Sequence, residues 1–237
     1  MLVVDIESMG TGPPDWFAGG VVLAQVSSSH VKILQYRMFR KQWVGVSRPM
    51  FGASGFWRDN QRALYFNLYP PSIGEDGHLG MRKEGDYAND GDLALYLRSL
   101  LDGYPDVILI SDNPSFDISF VNLMLCNEGL PPAHIRFRSE ANEQGVLRKV
   151  SFYRQVVCVW SARLCLNHMI SDDRIRKRAS ALVQNMDIPD IKHVPVVDCV
   201  NTVCVFQEIL LATSRCMFVR RSAHANARYS KSTGHIN

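Results

Sequence analysis

Leu2-Val3-Val4-Asp5-Ile6-Glu7-Ser8-Met9-Gly10 is the stretch on which the fold turns. Its apolar residues are too few for a helix of ordinary length and suit a short buried strand. The run ends in two acids spaced two apart, so both carboxylates project from the same face of the strand. Two anions on one face of a core strand repel each other and resist burial. A bound divalent cation resolves that conflict. Ser-Met-Gly-Thr-Gly follows, so the acids sit where an apolar strand meets a glycine-rich turn.

Further along, Gly20–Val26 and Val31–Phe39 are strand-like runs joined by Ser-Ser-Ser-His. With the first run they predict three consecutive antiparallel strands. Residues 54–68 predict a helix, and the Gly-, Pro- and charge-rich stretch 69–91 a loop. Leu93, Leu97, Leu100 and Leu101 recur at helical spacing, and Val107–Ile110 is a buried strand. Ser115 is a candidate N-cap for a helix bearing Phe116, Phe120, Leu123 and Met124. Residues 139–150 are polar and carry no assignable period, and 152–166 stay open between helix and strand. From Asp198, the apolar positions Cys199, Val203, Phe206 and Leu210 predict a helix. A β-meander followed by alternating helix and strand makes an α/β fold, a mixed sheet with helices packed on it.

The 237 residues suit one domain, and at 46% hydrophobic and 21% charged the composition excludes wholesale disorder, a collagen-like repeat and a coiled coil. No apolar run approaches the roughly 20 residues of a membrane span, and the first residues lack a basic n-region, so neither a membrane segment nor a signal peptide is expected. The six cysteines form no C-x-x-C pair and read as reduced thiols of an intracellular, cytoplasmic protein. The net charge of +3 is uneven. Residues 214–237 carry Arg215, Arg220, Arg221, Arg228 and Lys231 and no acid, which leaves residues 1–213 mildly acidic. A domain over 1–213 and a flexible basic tail over 214–237 are the expected division.

Two further acidic positions join the first pair. Asp117, in Ser111-Asp112-Asn113-Pro114-Ser115-Phe116-Asp117, lies at a strand–helix junction. His193 and Asp198 form H-x4-D at the start of the last helix, and the histidine can accept a proton near neutral pH. A second H-x4-D, His168 to Asp173, precedes a basic stretch, Arg174 to Arg178, that shows no apolar face, so the His193 pair is favoured.

In this order the residues resemble the DEDDh 3′→5′ exonucleases of the ribonuclease H-like fold, with Asp5, Glu7, Asp117, His193 and Asp198 as the matched set. The resemblance spans roughly residues 1–213. It is strongest to the phage exonuclease A and mycobacterial-type exoribonuclease branch. Asp5-Ile6-Glu7-Ser8-Met9-Gly10 resembles that branch's D-x-E-T-M-G, Ser115-Phe116-Asp117 its S-F-D, and Phe56-Trp57-Arg58-Asp59-Asn60 its aromatic-Trp-x-x-Gln segment. Asn60 stands in place of Gln. Trp160-Ser161-Ala162-Arg163 is the nearest stretch to a D-x-R-T segment and lacks its Asp.

The resemblance implies a ribonuclease H-like mixed sheet flanked by helices. It implies two Mg²⁺ ions, with Mn²⁺ able to substitute, held by Asp5, Glu7, Asp117 and Asp198, and His193 as general base. Ser8, Met9, Trp57, Asn113 and Phe116 would contact the substrate, a 3′ end of single-stranded RNA or DNA. A homodimer is compatible with the sequence, and a catalytically silent nucleic-acid-binding protein is the alternative function.

Overall fold

In this computed structural model the described residues are 1–10, 15–41, 53–68, 71–73, 79–81, 88–141, 144–186 and 188–232. The expected meander is present as β1 (Leu2–Ser8), β2 (Trp16–Val26) and β3 (Val31–Arg40), paired antiparallel in sequence. The Ser27–His30 turn closes with a backbone bond from the Ser27 N–H to the His30 carbonyl, 2.8 Å. Two helices follow, α1 (Ala53–Asp59) and α2 (Gln61–Leu68), where one was expected. The break falls at Asn60, whose side-chain amide donates to the Phe56 carbonyl. The stretch expected as loop holds a small hairpin, β4 (Pro71–Ile73) with β5 (Leu79–Met81). The helix α3 (Asp90–Gly103) starts inside that stretch, at a capping box between Asn89 and Asp92.

The strand β6 (Leu109–Ser111) then runs parallel to β1, and α4 (Pro114–Asn127) returns over the sheet. Its N-cap is Asn113, with Pro114 opening the helix. Ser115 is therefore inside the first turn and not the cap, and its hydroxyl donates to Asn113 Oδ1. The polar segment proves to be a separate antiparallel ribbon, β7 (Ile135–Ala141) with β8 (Leu147–Tyr153). The ambiguous stretch divides into the end of β8, then β9 (Val156–Cys158) and α5 (Val159–Cys165). The chain continues into α6 (Asp172–Gln184) and α7 (Pro195–Ser232).

The main sheet has the order β3-β2-β1-β6-β9. Leu2, Val4 and Ile6 face α3 and α4, packing with Leu97, Leu101, Phe120 and Met124. Val3 faces the other side, with Val196, Val200 and Val203 of α7 and Ile175, Ala179 and Val183 of α6. By strand alternation Asp5 and Glu7 share the face of Val3, which is the face α7 covers.

Arg174–Arg178 does have an apolar face, contrary to its sequence reading. Ile175, Ala179 and Val183 are four apart and buried, while Arg174 and Arg178 both donate to the inaccessible Glu208 carboxylate of α7. Among the described residues one segment, Pro195–Arg215, is after all long and apolar enough to cross a membrane, with mean hydropathy 1.5. Its apolarity has a cause in the fold: 67% of its most apolar 18-residue run is buried, against β1, β2 and α6. Ala212 is buried and Thr213, Ser214 and Arg215 after it are exposed, while the helical backbone continues to Ser232.

Candidate active site

A cleft of about 600 Å³ opens at the C-terminal end of β1 and β6. Asp5, Glu7, Asp117, His193 and Asp198 all line it, as do Asn113 and Phe116. Three separate elements deliver the acids: β1, the first turn of α4 and the first turn of α7. The rival His168 lies in a single 3₁₀ turn, and Asp173 is exposed on α6 beside Arg176.

Close approach of α7 to the sheet makes the convergence possible. Gly20 pairs with Asp5 across β1 and β2, and a Cβ on Gly20 would lie 2.4 Å from the Pro195 carbonyl carbon and 2.6 Å from the Val196 nitrogen. Only the absence of that carbon lets the start of α7 rest on the strand next to Asp5.

The carboxylates are held under electrostatic tension. Asp5 is driven well above the usual carboxylate range by burial, reinforced by Glu7, Asp117, Asp198 and Asp112. Glu7 is driven well up by burial and by Asp198 and Asp117. Burial raises Asp117 to about 6, although hydrogen bonds from Ser111 and from the Ile6 and Asn113 backbone pull it back. Burial likewise raises Asp198 to about 6, against a hydrogen bond from the His193 backbone and the charge of Lys192. Asp5 Oδ2 is buried with no hydrogen-bond partner. An acceptor in that state is costly unless a cation or proton meets it. Glu7, His193 and Asp198 each offer a ligand atom, and these atoms all lie within 4.8 Å of one another. The carboxylate oxygens here are hard donors that suit Mg²⁺ or Mn²⁺.

His193 occupies the left-handed region, φ 65°, a strained conformation for a residue with a side chain. Two bonds clamp it there: its N–H donates to Asp198 Oδ2 at 2.9 Å, and its carbonyl accepts from the buried Asn67 amide at 2.7 Å. The ring rests edge-on against Phe56 at 4.7 Å, with Nδ1 3.8 Å from Asp198 Oδ2. Burial and the nearby Lys192 lower its pKa, which favours the neutral imidazole.

Three expected substrate contacts lie elsewhere. Ser8 Oγ closes a turn with both backbone groups of Gly10. Met9 and Trp57 are buried together with Phe17 and Ala63, and the indole N–H donates to the Ser8 carbonyl. These side chains shape the turn after β1 and offer no face to a base. The exposed ring beside His193 is Phe56. Sequence reading passed over Asp112, Arg176 and Lys192 on the cleft and Asn67 behind His193, and it noted Trp160 and Arg163 only as the ends of the stretch nearest to D-x-R-T. The adjacency of Lys192 to His193 was a further signal.

No protein-family pattern matches the chain, and no curated protein matches it. The structure does resemble solved ones. It aligns with E. coli exonuclease I in complex with a dA16 oligonucleotide at a TM-score of 0.50 and 16% identity, covering 90% of this chain and 41% of that one. It aligns with an apo exonuclease I at 0.50 and 15% identity, covering 96% and 46%. The fold is ribonuclease H-like. At such identity the likeness is one of fold alone, and this chain spans less than half the length of those it matches.

The acid tension predicts an inverted pH dependence for the metal-free protein. Asp117 and Asp198 have folded pKa values raised above their unfolded ones, so the folded state binds more protons between about pH 4 and 6, and stability falls as pH rises through that window. Asp5 and Glu7 add to this in the same direction. His193, lowered, opposes it as a single group. The thermal midpoint in chelator should therefore be higher near pH 5 than near pH 7.5, and Mg²⁺ or Mn²⁺ should recover the difference at the higher pH. Scanning calorimetry with and without metal checks both.

Proposed function

We propose that this chain is a metal-dependent 3′→5′ exonuclease acting on single-stranded nucleic acid, with residues 1–213 as its catalytic unit. One observation carries the reading: four carboxylates from three elements converge with a histidine around a buried, partnerless Asp5 oxygen. A second supports it, since a structure of the same fold is exonuclease I with a dA16 oligonucleotide. The sequence motifs around Asp5 and Asp117 favour the phage exonuclease A and mycobacterial-type branch.

Asp5, Glu7, Asp117 and Asp198 would hold two Mg²⁺ ions, with Mn²⁺ as a substitute. Ions bound there would supply an activated water at neutral pH and neutralise charge on the scissile phosphate. The chain's own residues do the rest. Asp198 fixes the His193 backbone, and the strained loop presents the imidazole at the cleft. With Nδ1 turned to Asp198, Nε2 is the atom that accepts the proton of the attacking water. Arg163, Arg176 and Lys192 on the rim attract the phosphates, and Asn113, Phe116, Phe56 and Trp160 meet sugar and base.

A 5′-labelled single-stranded oligonucleotide with Mg²⁺ should give a ladder shortening from the 3′ end. A mobility shift without cleavage would instead identify a catalytically silent binding protein. Matched RNA and DNA strands in the same assay show which sugar is preferred. His193→Ala should lower the rate at least about 100-fold, the scale of a lost general base, and His168→Ala should cost little. The reverse result would move the site to Asp173.

A further inference from the structure

The β7–β8 ribbon has no counterpart in the mechanism above. It stands outside the main sheet, joined to it where β8 turns into β9. Val156, the first residue of β9, pairs with Leu109 at the start of β6, so the ribbon leaves the sheet at the end opposite the acid cleft. Arg154 anchors that junction by donating to the carbonyls of Leu101, Tyr104, Pro105 and Val107. Arg136, on one face of the ribbon, is tied to Asp106 at 2.6 Å.

The opposite face is built differently. Ile135 pairs with Tyr153, Phe137 with Ser151, Ser139 with Lys149 and Ala141 with Leu147, so these side chains share one face. Tyr153 is 82% exposed and Leu147 70%, and Phe137 is exposed as well. Phe137 and Tyr153 are diagonal neighbours across the ribbon, a spacing of roughly 7–8 Å. The Lys149 ammonium lies over one face of the Phe137 ring, 4.2 Å from its centre, and the His134 ring lies parallel to Tyr153 with centroids 6.3 Å apart, so a base would meet the opposite face of each ring. An exposed aromatic pair on a strand surface, with a cation beside it, matches what single-stranded nucleic acid requires: π faces for successive bases and a positive charge for the phosphate between them. The positive charge on this face is that of Lys149; Arg136 and Arg148 stand at register positions of the opposite face, and Arg154 is buried in the junction.

We propose that this face of the β7–β8 ribbon is a second contact for single-stranded nucleic acid, remote from the cleft, with bases stacked on Phe137 and Tyr153 and a phosphate on Lys149. It does not depend on the cleft being catalytic, because stacking and charge act in binding alone. A chain long enough to reach from cleft to ribbon would engage both, and a short one only the cleft.

The test is fluorescence anisotropy in chelator, so that no strand is cut, using labelled homopyrimidine strands of about 4 and about 30 nucleotides. The double variant F137A/Y153A should weaken binding of the long strand at least about 10-fold and leave the short strand unchanged. Lys149→Glu should weaken the long strand too and reduce its salt dependence by about one phosphate contact. Both variants alter exposed positions, and wild-type thermal midpoints confirm that they fold. Unchanged affinity for the long strand in both variants overturns the proposal. So does sedimentation showing that the wild type self-associates and the double variant does not, since a second copy of the chain would then cover the face. Loss of long-strand binding in a protein that shows no nuclease activity would support the ribbon while removing the proposed function of the cleft.

Discussion

Asp5→Asn should abolish phosphodiester cleavage while making the metal-free protein more stable. The native side chain is buried among Glu7, Asp117 and Asp198, with one oxygen lacking any partner. Asparagine preserves the volume and removes the charge, so the repulsion and the desolvation cost disappear together. For a chain of this size each kcal/mol relieved raises the thermal midpoint by about 2–4 °C. The same substitution removes the carboxylate on which the charges of Glu7, Asp117, Asp198 and Asp112 bear. Melting curves in chelator near pH 7.5, set beside cleavage at saturating Mg²⁺, separate the two effects. Near-normal cleavage would show that Asp5 is not a metal ligand. A large drop in midpoint would show that it is structural.

Gly20→Ala should be nearly as damaging to activity, for a purely steric reason. The added methyl would meet the Pro195 carbonyl carbon at 2.4 Å, its oxygen at 2.7 Å and the Val196 nitrogen at 2.6 Å. These are backbone atoms of the first turn of α7 and cannot rotate away. The helix start must lift from β2, and it carries Asp198 and the clamp on His193 with it. Overpacking of this kind costs about 1–3 kcal/mol, and here the displacement falls on the catalytic loop. Gly19→Ala is the matched control. Its methyl would crowd the side-chain tips of Ile6 and Leu93, at 3.2 and 3.3 Å, which can turn aside, and meet the Trp16 ring at an ordinary contact distance of 3.7 Å. Cleavage should be lost in the first variant and largely kept in the second. Equal activity in both would mean that α7 does not need its present seat on the sheet.

The residues that carry this account differ in how far the sequence exposes them. Leu2–Glu7 is legible because alternation on a strand assigns faces without knowledge of the partner. The acids at 5 and 7 had to share the face of Val3, and only the identity of the covering helix was missing. Asp117 and the His193–Asp198 pair are legible as types at junctions, yet their convergence depends on Gly20, whose importance appears only when Pro195 is seen against it. The φ of His193 leaves no trace in the sequence, and neither does the Asn67 bond that holds it.

Met9 and Trp57 show the converse difficulty. An aromatic beside a motif is the same residue whether it faces a base or a core, and here Phe17 and Ala63 claim it. On α6, Ile175, Ala179 and Val183 are regular helical positions obscured by the intervening Arg and Lys, and the buried Glu208 explains why two of those arginines, though partly solvent-exposed, reach toward α7. The β7–β8 ribbon escaped notice because a two-stranded element exposed on one face need not alternate cleanly between apolar and polar residues.

The central claim is that the buried acids exist to hold divalent cations. Anomalous scattering from crystals grown with Mn²⁺ near pH 7.5 tests it most directly, because the ion is located independently of any activity. Mn²⁺ should lie in contact with the Asp5 carboxylate and be shared with at least one of Glu7, Asp117 and Asp198. Ordered carboxylates in their present places with no Mn²⁺ among them would contradict it.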